Sequence, residues 1–470
     1  MTPAPAATAR DGLPVPQRHG STLTILTGIA LTVIDSTMMG LALPDIARDL
    51  RASPAEVIGV VNAYQIAILA LLLPMAAVAD RLGARRVYLA GMTVFGIASV
   101  ACWFAPNLSA LVAARALQGV GGAGVFACNT ALVRATYPQA LLGRGIALNS
   151  VVVAASSVAG PPLAALLLSI GSWHWLFAIN VPLALLILAL GWHHLPAARG
   201  NAGPAARLSA VDVLLNAVMF TTAFLGVDGL LPRADVAPHT GSALALLVLA
   251  ALIGAVYVRR QRREAVPLLP LDLLRRPVFR LTVMTSVGSF SAYTLCGIAL
   301  PFLLLGEMQY SHAQTGLVLA ASPLATIVAA PLAGRLIGRV ADGLLAGAGL
   351  FTMALGFGAL ALLPDHAAMA DVAWRLALCG IGFGLFQSPN NHALVVAAPA
   401  HRTAAVGGTM ASARLTGETL GALLLALLFS WPGLPHGTAS LVALGGSAAF
   451  AAAAGGISLL RLRAAAPSAR

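Results

Sequence analysis

Fourteen apolar runs of about 20 residues each follow one another from end to end of this 470-residue chain. They lie at 22–43, 55–79, 87–105, 108–133, 145–170, 174–192, 211–231, 241–258, 281–304, 313–333, 343–363, 371–396, 404–430 and 438–460. A run of that length spans the ~30 Å hydrocarbon core of a bilayer as a helix. Only 9% of the residues are charged, against about 25% in an ordinary soluble domain. The expected fold is an all-α, multi-pass membrane protein with fourteen transmembrane helices. Residues 1–21 are polar and proline-rich and lack the basic-then-apolar order of a cleaved signal peptide. Cys102, Cys128, Cys296 and Cys379 fall inside the apolar runs, which makes them small packing residues rather than loop disulfides.

The placement of the charges decides what the net +12 means. Every basic residue is arginine: 22 fall on the side of the N-terminus, four on the other (Arg48, Arg51, Arg233, Arg375), and Arg115 and Arg414 within spans. That asymmetry is the positive-inside bias, and it puts both termini in the cytoplasm. It also accounts for the charge without nucleic acid. A chain with no lysine cannot carry the Gly-Lys-Ser/Thr phosphate loop of an ATP-driven pump. No HExxH or comparable pattern appears either, so the expectation is a non-enzyme with no cofactor and no metal. The absence of lysine suggests a GC-rich bacterial source, hence the bacterial inner membrane.

A faint repeat organises the chain. "SPAE" (53–56) and "SHAQ" (311–314) open comparable spans 258 positions apart, and the same offset carries Ala76 to Gly334, Arg81 to Arg339 and Pro106 to Pro364. An offset of 261 carries Gly119, Gly121, Asn129 and Pro138 to Gly380, Gly382, Asn390 and Pro399. The copies stand eight spans apart, an even number, so they share one orientation. The expected organisation is a cytoplasmic tail (1–21), a six-helix bundle (22–195), linkers with two inserted helices (196–276), a second six-helix bundle (277–462) and a tail (463–470).

"AVADRLGARR" (77–86) places Asp80, Arg81 and the turn residue Gly83 between the second and third spans. It resembles the loop signature of the major facilitator superfamily, with Ala76 where a leading glycine is usual. The resemblance implies that Asp80, Arg81 and Gly83 act as a conformational latch. "RALQGVGGAG" (115–124) is similar to the signature of proton-coupled members. "AASSVAGPPLAALLL" (154–168) is similar to the exporter signature through Gly160 and Pro161, with Ala164 and Ala165 in place of its paired glycines. "LTVIDSTMMGLALP" (31–44), "SWHWLFAINVPLALL" (172–186), "FQSPNN" (386–391) and "GGTMASARLTGETLG" (407–421) resemble segments of fourteen-helix drug:proton antiporters. That family's fold is two six-helix bundles plus two inserted helices. Its members export lipophilic or cationic compounds in exchange for protons and confer drug resistance.

Depth gives a mechanism without the name. Counted at 1.5 Å per residue, Asp35 lies about 20 Å from the inner edge of its span, and Arg115 about 10 Å from the outer edge. Arg414 and Glu418 lie at about 15 and 21 Å from the inside, on one helix face at i,i+4. Four ionisable groups at one height are expected to share a central cavity. A carboxylate that moves between an apolar setting and an arginine can take up and release a proton. Asp35 is the first candidate carrier, Glu418 the second, and Arg115 tunes the first. The plainer readings are a static hydrogen bond at Asp35, a clamp on backbone carbonyls at Arg115, and a self-neutralising Arg414–Glu418 pair.

Asn129, Asn149, Gln387, Asn390 and Asn391 are candidates for lining that cavity, with interhelical hydrogen bonding as the plainer use. Asp228 and Glu307 fit interfacial positions, and Trp103, Trp173, Trp175 and Trp192 fit aromatic belts. The expected partners are protons, lipophilic or cationic small molecules and the lipid bilayer, with the protein a monomer. The alternative is the same fold moving one defined metabolite, by export or symport.

Overall fold

The computed structural model describes residues 12–196, 210–229, 240–262, 271–364, 366–397, 403–431 and 433–465. Residues 1–11, the linker from 197 to 209, residues 263–270 of the basic linker, the tail from 466 and the side chain of Asp228 lie outside them.

The described residues form fourteen long helices. The first six are α1 (Val15–Asp49), α2 (Pro54–Leu82), α3 (Ala84–Trp103), α4 (Leu108–Thr136), α5 (Leu142–Ile170) and α6 (His174–His194). Then come α7 (Ala210–Asp228) and α8 (Thr240–Gln261). The last six are α9 (Pro277–Phe302), α10 (His312–Leu336), α11 (Asp342–Ala361), α12 (Met369–Val396), α13 (Thr403–Phe429) and α14 (His436–Ala465). Thirteen of these are long and apolar enough to cross a membrane, and α7 contributes a shorter apolar stretch, Val211–Ala223. The described residues contain no β-strand. Only an isolated bridge, Ile337–Val340, closes the turn after α10.

The repeat is written in the helix ends. Both α2 and α10 open on a capping box. The Glu56 amide donates to Ser53 Oγ while Glu56 Oε2 accepts from the Ser53 amide, and Ser311 and Gln314 repeat the pattern. Each helix closes at a leucine, followed shortly by a left-handed glycine, Gly83 (φ +92°) or Gly338 (φ +82°). The openings stand 258 positions apart and the closing leucines, Leu82 and Leu336, 254 apart. α10 has 25 residues and α2 has 29, but α3 and α11 again stand 258 apart at both ends (Ala84–Trp103 and Asp342–Ala361), so the connection before α11 takes up the four residues and the offset returns to 258.

Small residues let the first bundle close tightly. A Cβ on Gly119 would strike the Tyr64 carbonyl, and one on Gly121 would strike the Phe95 backbone, so α4 lies directly against α2 and α3. The halves meet on the face opposite the chain ends. There one apolar cluster joins Met38, Leu41, Ala164 and Leu168 of the first half to Leu295, Ala299, Leu425 and Ala426 of the second. Toward the chain ends the first half keeps a separate cluster around Tyr64, Tyr88 and Val125. The second half is built around Leu350, Met353, Phe357 and Phe386. His312, at the start of α10, also bonds Asp45 of α1 across the sealed face (2.6 Å). These contacts close the molecule at that face.

The inserted pair α7–α8 is held together by the Asp212–Arg260 ion pair (2.8 Å) and packs on α2. Pro74 lies inside α2 and has no N–H to give the Ala70 carbonyl, its partner four residues back. Asn216 of α7 donates to that carbonyl at 2.7 Å, with its side chain buried. The insertion is thus docked on a group the proline leaves unpaired, as membrane helices with internal prolines require.

One aromatic departs from the belt expectation. Trp173 is 2% exposed and donates Nε1–H to Asp49 (2.9 Å), because a buried indole needs an acceptor. Trp103, Trp175 and Trp192 are exposed. All four cysteines are buried and unpaired.

Candidate functional site

Asp35 sits midway along α1, beside Arg115 and Gln118 of α4, Ser99 of α3, Tyr64 of α2 and Asn180 of α6. Its carboxylate accepts three hydrogen bonds: Arg115 Nη1 to Oδ2 at 2.7 Å, and Gln118 Nε2 and Asn180 Nδ2 to Oδ1 at 3.2 and 2.6 Å. Both members of the ion pair are 1% exposed. Three donors, one of them a cation, suit the ionised carboxylate, which is otherwise too costly to bury.

Arg115 is held independently of its partner. Nη1 also donates to Gln118 Oε1 (2.5 Å) and Nε to the Val60 carbonyl (3.3 Å), and the guanidinium lies 4.3 Å over the Tyr64 ring. Gln118 in turn donates to Ser99 Oγ (2.9 Å). If Asp35 takes a proton, Arg115 keeps two oxygen acceptors and an aromatic face. The carboxylate can therefore change charge without ejecting the arginine.

Arg414 and Glu418 form a second pair within α13, at 2.7 Å, with Arg414 also 6.0 Å over Phe290 of α9. Among the described residues no hydrogen bond or ion pair joins it to Asp35 or Arg115. The four charges are two separate pairs, one in each half, and Asp35 is enclosed by its own bundle. The expectation of a single shared cavity needs that correction. Its cause is Asn180 and Gln118, which surround Asp35 where depth counting placed only charges. Tyr64 lies under the Arg115 guanidinium, and among the described residues its buried hydroxyl has no hydrogen-bond partner.

The remaining candidates fall into three groups. Asn129 donates to Asn149 (3.1 Å), tying α4 to α5. Asn390, 1% exposed, bonds Ser286 and Arg461 and is not a cavity-lining group, whereas Gln387 and Asn391 are half-buried on α12. Asp80 and Arg81 are exposed at the end of α2, and Gly83 supplies the left-handed turn into α3. Gly160 lies against Thr37 of α1, where a Cβ would collide with the threonine hydroxyl. Pro161 contributes its carbonyl to the close approach of Gly316 on α10.

Gln118, Ser99, Asn180 and Tyr64 were not singled out from the sequence. Gln118 was within reach, since it lies three residues after Arg115 and shares its helix face. Asn180 and Ser99 carry no comparable local signal.

Two helical bundles sealed at one face, with an ion pair buried inside one of them, describe a multi-pass membrane transporter. Residues 25–422 match the model of the Major Facilitator Superfamily. The chain is 45% identical over 457 residues to the uncharacterized transporter YebQ of Escherichia coli (strain K12), covering 96% of this chain and 98% of that protein. It is 30% identical over 416 residues to the multidrug resistance protein Stp of Mycobacterium tuberculosis (strain CDC 1551 / Oshkosh), covering 87% and 75%. Among solved structures, a bacterial homologue of the human lysosomal transporter Spinster, inward-facing and unoccupied, superposes with a TM-score of 0.67 at 16% identity. That match covers 96% of this chain and 98% of the other. The chain belongs to the Major Facilitator Superfamily.

Proposed function

We propose that the protein exports lipophilic, often cationic compounds from the bacterial cytoplasm in exchange for protons, by alternating access across the inner membrane. The observation that carries this reading is Asp35, buried in α1 with Arg115 while Arg115 keeps partners of its own. With both termini cytoplasmic, the apolar seal lies on the outer face, which supports reading this as the inward-facing state of the cycle. In that state Asp35 is bonded as an anion. A cationic cargo reaching it competes with Arg115 for the carboxylate. On the outer side a proton neutralises Asp35, the cation loses its counter-charge and leaves, and return to the inward state delivers the proton.

Glu418 is the second carrier in this scheme, with Arg414 as its counter-charge. Asp80, Arg81 and Gly83 serve as the latch and Gly160 and Pro161 as the pivot of α5 against α1 and α10, while lining falls to Gln387 and Asn391. The multidrug resistance name of Stp supports the cargo class. The test is efflux of lipophilic dyes and quaternary ammonium compounds from everted vesicles with and without a pH gradient. Uptake that ignores the gradient would overturn the coupling. Gradient-driven uptake of one metabolite alone would overturn the cargo class.

A further inference from the structure

We propose that a cavity at the chain-end face of the second bundle binds the phosphodiester headgroup of an anionic phospholipid. The cavity encloses about 400 Å³ between the ends of α9, α11, α12 and α14. Arg461 of α14 forms part of its wall and is 3% exposed. Its guanidinium donates from Nη1 to Thr282 Oγ1 and Asn390 Oδ1 (3.1 Å each), from Nε to the Ser458 carbonyl (3.3 Å) and from Nη2 to Ser458 Oγ. Every acceptor is neutral, and no carboxylate stands at ion-pair distance among the described residues. Of the five N–H groups of an arginine, four are used and one on Nη2 is left over. A buried cation without an anion is an expensive arrangement, and an incoming phosphate relieves it.

The rest of the wall suits the same ligand. Arg276, exposed at the rim, uses one N–H on the Ala397 carbonyl (2.9 Å), and its others have no acceptor among the described residues. The first turn of α11 opens into the cavity at Ala341, Asp342 and Gly343 with no side-chain cap; the Leu344 amide is taken by the Ala341 carbonyl, while those of Asp342 and Gly343 have no acceptor among the described residues and can meet an anion. Gly343 makes that approach possible, because a Cβ there would press on the Ser458 carbonyl at 2.9 Å. Asp342 is the one carboxylate on the wall, and it is engaged by His392 (2.8 Å). Two arginines against one carboxylate leave the cavity positive. Val278, Val396 and Leu462 make the adjoining wall apolar, and Val396 and Leu462 are themselves exposed, as a lipid chain running beside its headgroup requires.

The experiment is native mass spectrometry of the purified full chain with equal amounts of phosphatidylglycerol and phosphatidylcholine. Preferential retention of phosphatidylglycerol is expected. Arg276→Gln, an exposed change that spares the buried network, should weaken that retention about fivefold, the ~1 kcal/mol carried by one basic residue at an anionic surface. Arg275→Gln, whose side chain is not on the cavity wall, should leave it unchanged. Equal retention of the two lipids overturns the site, as does equal loss in both arginine variants, which would mean diffuse surface charge. Thermal stabilisation by inorganic phosphate equal to that by short-chain phosphatidylglycerol would reassign it to small anions.

Discussion

Asp35 and Arg115 meet at 2.7 Å across 80 residues of chain, in a position where each is 1% exposed. Deleting one partner of such a pair costs about 3–5 kcal/mol, because the other is left buried and uncompensated. Asp35→Asn and Arg115→Gln should each lower the melting temperature of the purified protein. The double variant should lose less than the two together, by ~0.5–3 kcal/mol of coupling. Strict additivity would mean that the two side chains do not depend on each other.

Glu418 and Arg414 share one helix face, and Glu418 is largely shielded from solvent (14% exposed). With Glu418 as a second carrier, Glu418→Gln should change the pH dependence of efflux. A profile identical to wild type assigns the pair to the ordering of α13 alone.

Asn216 serves a carbonyl that Pro74 leaves without its helical donor. Asn216→Ala should destabilise the protein by about 1–3 kcal/mol, the cost of an unsatisfied buried group. Pro74→Ala restores the missing N–H, so in that background Asn216→Ala should cost markedly less. Thermal unfolding of the four proteins reads the difference, and an undiminished loss would show that α7 is held on α2 by packing instead.

Asp45 and His312 bridge the two halves on the sealed face. Cysteines at both positions, joined by a bis-maleimide, should hold that face shut and stop transport, while the unjoined double variant remains active. The native cysteines are all buried and leave the reagent to the new pair. Continued transport by the joined protein would contradict alternating access through this face.

The sequence carries the membrane architecture plainly because a helix in hydrocarbon must be long, apolar and self-satisfied in its hydrogen bonds. Apolar runs therefore mark α1 to α14 with few ambiguities. Caps were legible too, at Ser53 and Ser311, but the earlier stop of α10 was not, since hydropathy does not mark where a helix gives way to a turn. Asp35, Arg115, Arg414 and Glu418 stood out as charges in apolar runs. Their division into two pairs did not, because depth along a helix says nothing about rotation around it. Asn180 and Gln118, which complete the Asp35 shell, look in sequence like ordinary polar residues. The role of Asn216 could be read only once α7 lay beside Pro74.

The decisive measurement compares everted vesicles containing equal amounts of wild-type or Asp35→Asn protein, with the internal pH followed by a fluorescent probe. Adding a lipophilic cation should dissipate the proton gradient with the wild type and leave it intact with the variant. Equal dissipation by both would remove Asp35 from the proton path.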